Sequence, residues 1–296
     1  MPYLIGDEFM SVQILTDSTS YIDEATKSNL NIHVVSLNVS FENQSFKENE
    51  IDNTTFYDLM EKQGIPISSQ PSIDDIYKQM EAAVKSNSSM LCIFLSSKMS
   101  GTFATAHIAK NMILERFNDA KIEIIDSMSN SMQLGFAAIV AARAALQNKS
   151  IETVKQIALD NMKRSRFLFI PDNLVYLKKG GRIGGAGALI GNILKIIPIL
   201  TVEKGVTTIF SKVRTKKKAT LAMLDKFLQD VKNYGLGEVV VHHINCYDEA
   251  KALANMISEK LNIAVNICDI GAVIGLHVGP GAIGIVYYTE KDLREI

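Results

Sequence analysis

Three features of the chain predict an α/β fold. Short runs rich in Val, Ile and Leu alternate with longer amphipathic stretches, as strands and helices do when they take turns in a largely parallel sheet. Hydrophobic residues make up 47% of the 296 residues, enough for one or two globular cores and too many for a disordered or collagen-like chain. Several apolar runs also end in the same kind of small polar turn, the ending found at the ligand-binding edge of open α/β sheets.

In chain order, strands are expected at Val12–Thr16, His33–Val39, Met90–Leu95 and Lys121–Ile125. Helices are expected at Ile73–Ser86, Thr102–Phe117 and Met132–Gln147. The first of these helices has a clear start, because Ser72 can cap exposed N–H groups while Asp74 and Asp75 suit the positive helix end. A helix near Ile151–Arg164 follows, then a strand at Phe167–Ile170, a Gly-rich region and an apolar helix ending near Pro198. This change of texture places a domain boundary near residue 165. It divides an N-terminal domain, residues 11–165, with a mainly parallel open sheet and flanking helices, from a smaller mixed α/β domain, residues 166–296. In the second, Ile199–Glu203 and Thr207–Val213 flank Lys204-Gly205 as a hairpin would. Helices at Lys217–Asn233 and Asp248–Leu261 surround a strand at Glu238–Ile244, and apolar segments at Ala272–Leu276 and Ala282–Tyr288 close the chain.

Charge and cysteine content narrow the function. The 31 Lys+Arg against 32 Asp+Glu leave a net charge of −1, without the broad basic field that sequence-independent nucleic-acid binding needs. Cys92, Cys246 and Cys268 are far apart, in neither disulfide-framework nor zinc-ligand spacing. No apolar stretch reaches the roughly 18 residues of a spanning helix. The first ten residues carry an acidic pair rather than a basic signal-peptide start, and read as an extension before Met10. A cytoplasmic protein without a transmembrane segment is expected.

The polar turns converge in a parallel sheet: Thr16-Asp17-Ser18-Thr19-Ser20, Ser96-Ser97 and Asp126-Ser127 each follow an apolar run. Any one of them is an ordinary turn or helix cap; as a set they suggest hydrogen-bond donors around a ligand head group. Ser96-Ser97-Lys98-Met99-Ser100-Gly101-Thr102 is the most informative, because a hydroxyl-rich turn before a helix aims N–H groups at an anion. It is neither a Walker A loop nor a GxSxG elbow. Ser68 and Ser69 add hydroxyls before the Ser72 cap. His277 stands among Gly275, Gly279 and Gly281, where the backbone can approach a ligand and the imidazole can donate to a carboxylate. His242 and His243 lie on an expected strand and read as packing residues. The run Lys178-Lys179-Gly180-Gly181-Arg182 lacks the GxGxxG spacing and reads as a basic turn beside a ligand entrance or a partner, and Arg214-Thr215-Lys216-Lys217-Lys218 as a basic helix start.

Six ordered motifs together resemble the DegV family, bacterial fatty-acid-binding proteins that include the acyl-carrying subunit of fatty acid kinase. They are Thr16-Asp17-Ser18, Ser68-Ser69-Gln70-Pro71-Ser72, Ser96 to Thr102, Leu177 to Ile183, Arg214 to Ala219 and His277 to Gly281. The resemblance covers nearly all of the chain from Met10. It implies a lipid-binding N-terminal domain and a tunnel between domains that holds one long-chain fatty acid, with no other cofactor and no metal. By carry-over, Ser68, Ser100 and His277 bind the carboxylate. Ser68 stands where the family commonly has Thr, so the hydroxyl is kept without its methyl. Ser69, Ser97, Gly101, Thr102, Asp126 and Ser127 form the surrounding shell, and Arg182 and Arg214 face the partner or the entrance.

The role implied is to present the carboxylate to the catalytic subunit of a fatty acid kinase, which phosphorylates it to an acyl phosphate for a downstream acyltransferase. Catalysis then belongs to the partner, nucleic acid is not a ligand, and transient membrane contact is allowed. Burying about 14 methylenes at about 0.8 kcal/mol each gives roughly 11 kcal/mol, comparable with an association cost of about 4–15 kcal/mol. The tail would therefore supply the affinity and the polar residues the orientation. Two alternatives remain at this point: a lipid esterase or acyl transferase with Ser100 as nucleophile, His277 as base and Asp17 or Asp126 as orienting acid, and a lipid-responsive regulatory protein.

Overall fold

The structure is a computed structural model that describes residues 10–189 and 196–293. Its first part alternates β1 (Val12–Asp17), α1 (Glu24–Leu30), β2 (Ile32–Val35), β3 (Asn38–Ser40), β4 (Ser45–Lys47), α2 (Asn53–Gln63) and β5 (Ile67–Ser69). It continues with α3 (Ile73–Lys85), β6 (Ser89–Phe94), α4 (Thr102–Arg116), β7 (Ile122–Asp126), α5 (Ser131–Ala145) and α6 (Ile151–Lys163). Then come β8 (Ser165–Ile170), α7 (Val175–Lys179), β9 (Ile197–Glu203), β10 (Val206–Val213), α8 (Lys216–Tyr234) and β11 (Glu238–His243). The order ends with α9 (Tyr247–Leu261), β12 (Asn266–Asp269), α10 (Ala272–Val278) and β13 (Ile283–Tyr288).

The expected parallel sheet is present, in the order β2-β1-β6-β7. Strand β6 is buried along its whole length, as a central strand covered on both faces must be. One face packs Leu15, Cys92 and Phe94 against Ile76 and Met80 of α3 and Ala109 and Ile113 of α4. The other meets α5, of which only Arg143 and Ala145 escape full burial. A helix apolar on nearly every side has to lie inside the protein, and α5 lies between this sheet and a second one. That second sheet runs β10-β9-β8-β13-β11-β12; only its β11–β12 pair is parallel. Its far face is covered by α8 and α9 through Met223, Phe227, Leu253 and Ile257.

Two expectations are corrected. The single strand over His33–Val39 is divided, because the chain leaves the parallel sheet at Ser36-Leu37, where the Leu37 N–H donates to Ser18 Oγ at 3.0 Å. The part after the break joins a small antiparallel sheet, β4-β3-β5. Ile197 and Pro198 belong to β9, paired with Val213 and Lys212, rather than ending a helix. Before them Gly184–Leu189 forms a 3-10 turn, and the rest of that expected helix, residues 190–195, lies outside the described residues, as do residues 1–9 of the expected extension. Of the two closing segments, the first is α10 and the second β13. No helix among the described residues is long and apolar enough to cross a membrane.

Candidate functional site

A cavity with an empty volume of about 710 Å³ opens between the two larger sheets. From the first part of the chain it takes Leu37, Ser68, Ser69, Gln70, Leu95, Met99, Ser100, Gly101 and Asn130. From the second it takes Phe167, Phe169, Leu177, Arg182, Val202, Thr207, Val273, Ile274, His277 and Val278. The polar groups come mainly from β5, the turn before α4, and α10, while the second sheet supplies largely apolar walls. A smaller void of about 270 Å³ adjoins it across Phe167, Phe169, Ile274 and Val278. Apolar walls with polar groups converging from several elements are the mark of a small-molecule site.

Ser68 reaches the cavity because β5 pairs with β3 in the register Val39 to Ser68, and strand alternation turns Ile67, 71% exposed, the other way. Its Oγ lies 2.9 Å from His277 Nε2. His277 is buried, and its Nδ1 has no hydrogen-bond partner. Gly180 packs directly on that atom: a Cβ there would stand 2.1 Å from Nδ1. A proton on Nδ1 would have no acceptor, so the neutral ring carries it on Nε2 and donates to Ser68 Oγ. This leaves the Ser68 hydroxyl proton free for a ligand. Burial, reinforced by the positive Arg182, pulls the imidazole down to about 4, which keeps it uncharged at neutral pH.

Ser100 lines the cavity from the turn before α4. Its Oγ is 2.9 Å from Thr102 Oγ1 and accepts from the Thr102 N–H at 3.3 Å. Gly101 packs closely on the Gln70 side chain: a Cβ would stand 2.5 Å from Oε1 of Gln70, whose Nε2 donates to Thr105 Oγ1 at 3.1 Å. Arg182 lines the cavity. Its Nε and Nη2 donate to the Met99 carbonyl at 3.0 and 2.8 Å, and Nη1 to the Gly180 carbonyl at 2.6 Å. The basic turn thus clasps the Ser100 loop and presses a glycine on His277, while its guanidinium places a fixed positive charge on the cavity wall.

Of the expected residues, Ser68, Ser69, Ser100, Gly101, Arg182 and His277 meet at the cavity, with Thr102 buried directly behind Ser100. Ser97, Asp126, Ser127 and Arg214 do not line it. Asp126 accepts from the Ser97 and Met128 N–H groups at 3.2 and 2.8 Å, and with Ser127 it borders a separate outer depression. Asp17 plays a similar part, taking the Thr19 N–H at 3.0 Å and the Leu95 N–H at 2.8 Å. The strand-end turns therefore converge, but their carboxylates satisfy one another's N–H groups; only the Ser100 end of the set reaches the ligand space. Arg214 is exposed between β10 and α8. Neither Asp17 nor Asp126 bonds His277, so the orienting acid of the esterase alternative is missing among the described residues, and the hydroxyl on the imidazole is that of Ser68 rather than Ser100.

Three polar lining residues fall outside the sequence expectations: Thr207, buried on β10, Gln70 and Asn130. Gln70 stands within a quoted motif, where its neighbour Gly101 was the available signal. Asn130, buried before α5, spends its Nδ2 on the Met99 sulfur at 3.1 Å and leaves Oδ1 without a partner; nothing in its local sequence marks it.

Comparison with known proteins agrees with this architecture. The sequence model of the family described as uncharacterised protein, DegV family, matches residues 11–290. A DegV domain-containing protein of Clostridium acetobutylicum is 62% identical over 285 residues, covering 96% of this chain and all of the relative. The crystal structure of DegV from Bacillus subtilis, described as a fatty acid binding protein, is 33% identical with a TM-score of 0.85, over 95% of this chain and 99% of that one. A Thermus thermophilus DegV family protein, whose structure is described as one of fatty acid binding, is 26% identical with a TM-score of 0.84, over 95% of this chain and all of that one. Matched over almost its whole length in sequence and in fold, this chain belongs to the DegV family.

Proposed function

We propose that this protein binds one long-chain fatty acid in the cavity between its two domains, divided near residue 165, and presents the carboxylate to a separate kinase for conversion to an acyl phosphate. The observation that carries the binding reading is the Ser68–His277 pair at one end of a mainly apolar cavity. The Ser68 hydroxyl, oriented by the His277 N–H, donates to the carboxylate; Ser100 offers a second hydroxyl, and Arg182 a positive charge that offsets the anion without itself being released from Met99. Phe167, Phe169, Ile274 and Val278 receive the tail. The fatty-acid-binding descriptions of the Bacillus subtilis and Thermus thermophilus relatives support the same ligand class. The kinase and the downstream acyltransferase rest on the family resemblance, with which the lack of a Walker A loop in this sequence agrees.

A Ser–His hydrolase is the weaker reading, even with a hydroxyl on an imidazole. His277 Nδ1 meets Gly180 instead of an orienting carboxylate, and an imidazole held near 4 is a poor base for a serine at neutral pH.

Native mass spectrometry of protein purified without detergent, followed by denaturing extraction, tests the proposal. One intact fatty acid released per chain is expected, and His277→Ala, which leaves the Ser68 hydroxyl unoriented, should lower its retention about tenfold, the loss of roughly one hydrogen bond. A covalent acyl adduct on Ser68 would favour the hydrolase, and protein that arrives empty and takes up no added palmitate would refute the binding reading. Acyl phosphate production with a family kinase, from palmitate and ATP, checks the presentation step.

A further inference from the structure

One buried acid takes no part in the binding reading. Glu48, 7% exposed, lies in the turn after β4 and does not line the cavity. Its Oε1 accepts from the Tyr21 hydroxyl and from the Val273 backbone N–H, both at 2.8 Å, and its Oε2 from the Ser18 hydroxyl at 2.5 Å. Val273 stands in the first turn of α10, about one helical turn before His277. The carboxylate of the first part of the chain is thus bonded to the start of the helix that carries the imidazole.

The surroundings are built for this approach. The Tyr21 hydroxyl that donates to Glu48 also accepts from the Ile274 N–H at 3.2 Å, so acid and phenol together hold successive N–H groups of α10. A Cβ at Gly271, the residue before α10, would stand 2.8 Å from both Glu48 Oε1 and the Tyr21 ring. The chain just before α10 is held from the same side, with Asn53 Nδ2 and the Tyr57 hydroxyl donating to the Ile270 carbonyl at 3.1 and 3.4 Å. Since α10 has only seven residues, a displacement of its first turn is carried into its last. Keeping a carboxylate away from water is costly unless donors surround it, and here two of the three donors belong to the Tyr21–α10 contact.

We propose that Glu48 is a positioning residue for His277: by fixing the first turn of α10 against the N-terminal part of the chain, it sets the imidazole at bonding distance from Ser68. The affinity consequence rests on the reading that His277 and Ser68 hold the carboxylate. The positional consequence does not, since it concerns the ligand-free protein.

The test uses the full delipidated chain, with palmitate titrated by calorimetry and the His277 imidazole followed by NMR, its resonance assigned from a His277→Gln spectrum. Glu48→Ala is expected to weaken palmitate about tenfold, and to shift or broaden the His277 ring signal before any ligand is added. Glu48→Gln keeps the oxygen that faces Val273 and Tyr21, and should restore affinity to within about threefold of the unsubstituted chain. Should Glu48→Ala fail to fold, Tyr21→Phe, which removes the hydroxyl shared by Glu48 and Ile274, is expected to move the same resonance. An unshifted His277 signal in Glu48→Ala with unchanged palmitate affinity would overturn the proposal, as would a loss confined to melting temperature with normal binding while folded. If His277→Ala itself bound palmitate normally, the carboxylate reading would fall, and the ligand-free resonance would still decide the role of Glu48.

Discussion

At the scale of single residues, the site is organised by what surrounds His277. Gly180 has φ −74° and ψ −6°, a conformation open to any residue, so its glycine is required by contact rather than by backbone freedom. Gly180→Ala should therefore displace the imidazole without straining the turn, weakening palmitate binding about tenfold with a stability loss of about 1–3 kcal/mol, the usual cost of overpacking. Calorimetric titration beside urea unfolding separates the two effects; normal binding in this variant would show that the ring has room to move. The Ser and His of the site were legible because hydroxyls and glycines cluster around them in the sequence. The parts played by Gly180 and Arg182 were not: a Lys-Gly-Gly-Arg run looks the same whether its guanidinium meets solvent or the Met99 carbonyl. Nor was Glu48, whose sequence neighbours Lys47, Asn49 and Glu50 reach solvent while its partners are Ser18, Tyr21 and Val273.

At the scale of elements, α5 bears the strongest packing constraint. Gly135, in its second turn, has space for no side chain: a Cβ would stand 2.5 Å from the Ser20 carbonyl oxygen and 2.9 Å from the Met132 sulfur. Alanine improves helix propensity by about 1 kcal/mol, yet overpacking against backbone costs about 1–3 kcal/mol or more, so Gly135→Ala should be net destabilising by about 1–2 kcal/mol. A lower urea midpoint at unchanged slope would confirm it, and a higher midpoint would mean that the turn after β1 yields. Long periodic elements such as α3, α6 and α8 could be read from the sequence because their buried faces repeat every turn. The sheet that carries Ser68 could not, for β3, β4 and β5 have three residues each. Such lengths show no period, and their Asn, Ser and Lys content favours turns.

At the scale of the whole molecule, buried ionisable groups give the protein a pH dependence of definite sign. Burial holds His277 at about 4 and His242 at about 3, both below the ordinary 6.5. Their contributions are complete above pH 6.5 and are lost as the pH falls toward these folded-state values. Asp17 acts oppositely: burial pushes its carboxyl from 3.8 to about 6, so its contribution is present below 3.8 and lost as the pH rises through about 6. Burial also raises the Glu48 carboxyl and lowers the His33 and His243 imidazoles, and at about 1.4 kcal/mol per unit the four histidines outweigh the two acids. Stability of the delipidated chain should therefore fall by several kcal/mol between pH 6.5 and 4, measured by urea unfolding, and the slope should shrink in His242→Asn. Constant or rising stability over that interval would contradict the assignment.

The sequence determined the α/β class, a largely parallel sheet in the first part of the chain and most helices, and, with the family resemblance, pointed to Ser68, Ser69, Ser100, Gly101, Arg182 and His277 among the residues that line the cavity. These follow from short-range periodicity and from motifs that retain their chemistry wherever they are placed. Only the tertiary structure decided which strand-end turns face the ligand space and which tie to one another, that Arg182 lines the cavity while Arg214 stays outside, and that Glu48 reaches the helix of His277. Those outcomes depend on contacts between residues far apart along the chain. A buried carboxylate, a guanidinium and a glycine each carry no mark in the local sequence of the partner that folding will bring to them.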